Sequence, residues 1–200
     1  MDRLPLITER ELDHDQRLVW DTIAETRKGV AAVDPDGGLI GPFNAMITSP
    51  RIGLHQARLG AELRFNTSFE RRLGELVICT VGAHWRSEFE FWAHSTMAVE
   101  HGVPTEVIQA LADGREPQFE RADEATVFAL TRRLLEHGRI SDDLYQEGLE
   151  LLGHRGMVEL VALVGHYCTI CLTLNVFDIP LPEGEQPIWT TDRATPPGSP

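Results

Sequence analysis

The stretch ELVICTVGAHWRSEFEFWAHSTMAVEHG, Glu75 to Gly102, brings together Glu75, Glu90 and His94 with His84, Trp85, Arg86 and Ser87. Glu90 and His94 are four residues apart, so on a helix their side chains share one face and touch. A carboxylate one turn from an imidazole fixes its tautomer and raises its pKa, giving a proton donor or acceptor that works near neutral pH. Glu75 is the third member. It interrupts the apolar set Leu73, Leu76, Val77, Cys79 and Val81, which nearly encircles a helix, so its carboxylate needs a partner or a proton. Arg64 and Arg72 are the expected partners. His84, Trp85 and Arg86 fall at a predicted helix break, where side chains can line the mouth of a pocket. Structural roles remain open for the same residues. Ser87-Glu88-Phe89-Glu90 has capping-box spacing, so Glu90 can instead bond the backbone at Ser87, and His94, among Phe91, Trp92 and Ala98, can be a core histidine. There is no HExxH or similar template, so no metal is expected.

The helices that hold these residues belong to a chain of 200 residues, 42% hydrophobic, which suits one domain spanning 1–200 with a sizeable core. Its 31 acidic against 18 basic side chains give a net charge of -13, which argues against non-specific binding to nucleic acid or to an anionic membrane. A local basic pocket around Arg64, Arg71, Arg72 and Arg86 can still receive an anionic small-molecule substrate. The opening MDRLPLITERELDHDQR has no apolar h-region, so a cytoplasmic protein is expected. The apolar run Leu160 to Leu174 is too short for a membrane span and contains His166, and it reads as a buried helix. Cys79, Cys168 and Cys171 lie in apolar helical patterns and read as reduced packing thiols.

Residues 1–13 read as an arm, followed by a helix from Asp15 to Lys28 with Leu18, Val19, Ile23 and Ala24 on its apolar face. Gly29 to Phe43 is a long loop rich in Pro, Asp and Gly, either a lid or a plain connector. A short turn of helix over 44–48 precedes a helix from Pro50 to Phe65, with Pro50 in its first turn. Thr67-Ser68-Phe69-Glu70 has capping-box spacing and is expected to start the helix that carries Glu75. Helices follow over Ser87 to His101, after Pro104 to Asp113, over Glu120 to Glu136 with Gly138 as its stop, from Ser141 to Leu152, and from Met157 to Phe177. Residues 180–200 read as a docked arm that frays at PPGSP. No segment alternates like a strand, so the fold class is all-α. A short echo links Glu75-Leu-Val, Val81-Gly82 and His84-Trp85 to Glu159-Leu-Val, Val164-Gly165 and His166-Tyr167, which suggests two related helical halves.

The segments SPRIGLHQARLGAELRF, RRLGELVI, FEFWAH, GVPTEVIQAL, GMVELVALVGHY and LNVFDIPLP run nearly the length of the chain. Together they resemble the carboxymuconolactone decarboxylase family, with FEFWAH standing where the family has Tyr-Glu-Trp-x-x-His. The resemblance implies the all-helical fold shared with the alkylhydroperoxidase D group, a symmetric homo-oligomer, and no cofactor. The alkylhydroperoxidase pattern is Glu, eleven residues, Cys, two residues, Cys, three residues, His. Laid on this chain it begins at Glu75 and ends at His94, with Ser87 and Glu90 at the cysteine positions. A dithiol peroxidase needs an attacking and a resolving thiol, so the resemblance points to the acid-base branch.

That branch implies decarboxylation or proton transfer on a small lactone or enolisable carboxylic acid, through an enolate that needs hydrogen-bond donors and a proton source. His94 is then the proton donor or oxyanion stabiliser, Glu90 orients it or shuttles the proton, and Glu75 acts from behind. Arg86, His84 or Arg64 would hold a substrate carboxylate, with Trp85 and Ser87 beside them. Phe89 and Phe91 replace the family's Tyr and Trp, which implies a more apolar pocket and a more apolar substrate. The rivals are a peroxidase-like activity through Cys79 or Cys168/Cys171, and an oligomeric ligand-binding protein without catalysis. The amino-terminal arm and Pro187-Ile188-Trp189 are expected at a subunit interface.

Overall fold

A computed structural model describes residues 3–27, 33 and 36–189. Among them the chain is all-helical, with a 3-10 turn at Glu9–Glu11 and eight α-helices. Only two isolated bridges, Thr8 to Gly38 and Val33 to Leu39, have strand-like pairing. Helix α1 (His14–Thr26) starts one residue earlier than its apolar pattern suggests. Asp13 accepts from the Gln16 N–H at 2.8 Å and the Gln16 side chain accepts from the Asp13 N–H at 3.0 Å, a reciprocal cap. Its buried face is Val19, Trp20 and Ile23, whereas Leu18 is exposed. Much of the expected loop, residues 28–32 and 34–35, lies outside the described residues.

Helices α2 (Phe43–Thr48) and α3 (Pro50–Phe65) follow the predicted bounds closely. They cross so tightly that a Cβ at Gly53 would stand 2.0 Å from the Met46 carbonyl oxygen. Helix α4 (Arg71–His84) is central, with an unbroken buried run from Arg72 to Gly82. The capping box expected at Thr67 to Glu70 does not form. Glu70 is the cap position without a side-chain bond, and Ser68 instead gives its N–H and hydroxyl to Glu159 at 2.6 and 2.7 Å. Glu159 is thus a surface anchor and Glu75 a buried one, so the echo between the two stretches does not extend to their roles.

Helices α5 (Glu88–Glu100) and α6 (Thr105–Ala112) pack with α4, and α7 (Ala122–His137) closes on Gly138 in the left-handed conformation. Arg72 of α4 is held by Asp123 at 2.6 Å and by Glu124, pinning α7 to the central helix. Helix α8 (Asp142–Phe177) is broken at Gly153 (φ 65, ψ 175), so it comprises the two helices the sequence predicts. Ser141 caps the first of them through the Leu144 N–H. In the second, Leu160, Leu163, Tyr167, Ile170 and Leu174 are buried, while Val158, Val161, Leu172 and Val176 form an exposed row on the other side. This helix is long and apolar enough to cross a membrane, yet its buried side packs on α3, α4, α5 and α7.

Both arms dock on their own chain. Asn44 accepts from the Ile7 N–H and donates to the Pro5 carbonyl, each at 3.0 Å. At the other end, the Glu88 carboxylate accepts from the Ile188 and Trp189 N–H groups at 2.8 and 2.9 Å. The Trp189 indole donates to the Ala112 carbonyl at 2.8 Å, and its ring meets Phe91 edge-on at 5.1 Å. Trp189, partly buried, completes the small core of α4, α5, α6 and α7. The PPGSP end lies outside the described residues.

Candidate active site

Glu75 projects from α4, and Glu90 and His94 from one face of α5, so the helix pair that the sequence places around three connecting residues brings the three side chains together. Their exposures are 0%, 3% and 5%. His94 Nδ1 is 2.6 Å from Glu75 Oε2, and its Nε2 is 3.1 Å from Glu90 Oε1. Behind them, Arg71 Nε donates to Glu75 Oε1 at 2.7 Å, and Arg71 Nη1 donates to the Arg64 carbonyl at 2.9 Å. Arg71, one turn before Glu75, is thus the partner that the sequence assigns to Arg64 or Arg72. Glu90 bonds the imidazole rather than capping the helix, for Ser87 makes no side-chain cap.

Burial alone would raise the Glu75 pKa, but the His94 hydrogen bond and charge, with Arg71 and Arg64 beyond, hold it down at about 2. Burial likewise works against an imidazolium at His94, yet the two flanking carboxylates, Glu90 foremost, raise its pKa above the ordinary value. The result is an ionic row, Arg71–Glu75–His94–Glu90, in which Glu75 stays charged and His94 stays ready to hold a proton. With a carboxylate on each nitrogen, the ring has no lone pair free for a metal.

Glu90 and His94 face a pocket of about 120 Å³ walled by Phe43, Met46, Phe89, Trp92 and Ile170. Four further polar side chains reach it: Arg27, Arg64, His166 and Tyr167. Each arginine is 9% exposed, and among the described residues neither has a carboxylate within ion-pair distance. Arg27 lies over the Phe43 and Phe65 rings at 5.5 and 5.9 Å, and burial lowers its pKa from 12.5. Arg64 donates Nη2 to Met97 Sδ at 2.7 Å, while its buried Nε has no hydrogen-bond partner among the described residues. His166 is kept neutral by burial, its pKa pushed down to about 4. Gly60 makes room for it, since a Cβ there would come within 2.8 Å of His166 Nε2 and 3.3 Å of Arg27 Nη2. Burial also pushes the Tyr167 phenol up, so it remains a donor.

Of the residues singled out from the sequence, Glu75, Glu90, His94 and Arg64 converge on this site. His84, Trp85, Arg86 and Ser87 do not line the pocket. His84 and Trp85 stack edge-on at the end of α4, with the Trp85 indole donating to Cys168 Sγ at 3.3 Å. Ser87 is wholly buried. Arg86 is exposed because it sits at a left-handed position, φ 46, that ends α4. A side chain there costs about 1–2 kcal/mol relative to glycine, partly offset by the greater freedom of an unfolded glycine. Arg86→Gly is therefore expected to raise the unfolding free energy by up to about 1 kcal/mol in urea melts, and to leave acid binding unchanged. Weakened binding would return Arg86 to the site.

Phe89 lines the pocket as expected, but Phe91 turns to Trp189 and the small core. The residues missed were Arg27, His166 and Tyr167. His166-Tyr167 did carry a signal, as polar side chains inside an apolar helical run. Arg27 carried none, because it follows the last turn of α1 and reaches the pocket only through the tertiary fold. No protein-family model matches the chain, and no curated protein matches it significantly.

Proposed function

We propose that this protein is an acid-base enzyme of the carboxymuconolactone decarboxylase kind, with the alkylhydroperoxidase D-like fold, acting on a small enolisable carboxylic acid or lactone acid. One observation carries the reading: a buried histidine clamped between two carboxylates opens onto a pocket with two buried arginines that, among the described residues, have no carboxylate within ion-pair distance. Counting Arg27, Arg64 and Arg71 against Glu75 and Glu90, with His94 protonated, the cluster has excess positive charge, and an anionic ligand offsets it.

Arg27 and Arg64 hold the substrate carboxylate. In the proton-transfer form, the Cα–H bond breaks, the proton goes to Glu90, and the electron pair moves into an enolate. In the decarboxylation form, the bond to the leaving carboxylate breaks, carbon dioxide departs, the electron pair moves into the conjugated carbonyl, and the resulting enolate takes its proton at carbon from the His94–Glu90 pair. The Arg64 Nε–H and the Tyr167 hydroxyl supply hydrogen bonds to the enolate oxygen. Glu90 is the proton carrier that meets the substrate, His94 stores the proton, and Glu75 with Arg71 fixes the ring. The thiols give the redox alternative no support. Burial raises the pKa of Cys79, Cys168 and Cys171, and Glu75 and Glu90 add to the effect at Cys79, so none is primed as a thiolate.

The test is a panel of lactone acids, β-keto acids and other enolisable acids incubated with the protein in D₂O, followed by NMR for exchange at the α-carbon and by carbon dioxide release. Exchange or release by the wild-type protein that is lost in Glu90→Gln and His94→Gln supports the reading. Turnover retained in both variants removes these residues from the mechanism. The exposed apolar row on α8 supports self-association into a homo-oligomer. A monomeric mass in sedimentation equilibrium at micromolar concentration would count against it.

A further inference from the structure

The pocket beside His94, at about 120 Å³, has room for roughly four waters. A carboxylate and one or two carbons fill it, so anything larger has to leave through a wall. One wall is shared. Ile40, Phe89 and Trp92 line both this pocket and a second, open cavity of about 640 Å³. Leu4 and Leu6 from the amino-terminal arm, Leu39, Phe177 at the end of α8, and Leu181 beyond it give that cavity an apolar lining. It is a groove of roughly twenty water volumes, joined to the candidate active site by its aromatic floor.

Charge sets the direction in which an elongated ligand lies. The arginines are in the small pocket, whereas the charged side chains on the groove, Asp36, Asp178 and Glu183, are all acidic among the described residues. An anionic head is drawn to Arg27 and Arg64, while the groove offers apolar surface to the rest of the molecule. Phe89 and Trp92 meet edge-on at 5.5 Å and form the threshold between the two spaces.

We infer that the substrate is an amphipathic carboxylic acid: its carboxylate and reacting carbon lie at Arg27, Arg64 and Glu90, and an alkyl or aryl chain runs over Phe89 and Trp92 into the groove under Leu6 and Leu181. The placement of the head rests on the proposed acid-base site, and the tail rests on the groove.

Straight-chain fatty acids from butanoate to dodecanoate, titrated calorimetrically below their micellar concentrations, test it without turnover. Affinity is expected to tighten about two- to fourfold per added methylene beyond hexanoate. Leu181→Asp, or Leu6→Asp from the opposite wall where the side chain is already exposed, should flatten that dependence and leave butanoate binding unchanged. Arg64→Met should weaken butanoate and decanoate alike. A dissociation constant independent of chain length overturns the inference, as does decanoate binding that ignores Arg64→Met. A chain-length dependence that persists in a protein inactive on every acid overturns the acid-base reading and leaves the amphipathic site standing.

Discussion

Glu90→Gln is expected to lower α-carbon exchange or decarboxylation by about 10²- to 10⁴-fold, the range over which a positioned general acid-base group contributes. The substitution keeps the volume and the contact with His94 Nε2 but removes the one carboxylate among the described residues that both touches the imidazole and lines the pocket. Because Arg27 and Arg64 still hold the substrate carboxylate, the loss should fall on kcat, with KM within a few-fold of wild type. His94→Gln should fall by a comparable factor, and the double variant by little more, since the two act as one relay. Single-turnover NMR with a fixed acid decides the matter. A rate within about threefold of wild type for both variants, far short of the expected loss, would sink the relay.

Glu75→Gln is the larger effect on stability. It strips a wholly buried carboxylate from between Arg71 and His94, and breaking such a buried pair costs about 3–5 kcal/mol. The pH dependence follows in sign. Glu75, held at about 2 against an ordinary 4.5, contributes stability that is present above the ordinary value and lost as pH falls toward the depressed one. His94, raised above an ordinary 6.5, contributes stability that is present below that value and lost as pH rises through the raised one. The wild-type protein should therefore be most stable between these limits. Glu75 and His94 share one contact, but Glu90 is the larger support of the His94 proton, so Glu75→Gln should flatten the acid limb and only part of the alkaline limb. Urea melts from pH 2 to pH 9 measure both, and an unchanged profile would mean that the row does not carry the coupling.

Local periodicity made most of the helices legible. Pro50 to Phe65, the Gly138 stop, and the division of the last helix near Leu152 are set by side chains within a turn of the boundary. Glu90 and His94 were legible for the same reason, being one turn apart on one helix. The misses share a different cause. Ser68 satisfies its capping groups with Glu159, far along the chain, so local spacing could not tell that the expected box would be bypassed. Arg71, one turn before Glu75, takes its carboxylate, while Arg72 is taken by Asp123 and Glu124 of a helix far along the chain. Arg86, which looked like a pocket residue by adjacency, is turned outward by its positive φ.

Arg27 and Arg64, buried and with no ion-pair carboxylate among the described residues, have a thermodynamic consequence beyond recognition. Desolvating a guanidinium without a counter-charge is unfavourable, so any anion that fits between Arg27 and Arg64 binds the folded chain and not the unfolded one. Stability then becomes a readout of ligand identity. An acid present at a hundredfold excess over its Kd raises the unfolding free energy by about 2.7 kcal/mol, or roughly 5–11 °C in Tm for a chain of this size. A melting-temperature screen of carboxylates, run in a buffer free of competing small anions, can therefore rank candidate ligands for the proposed activity.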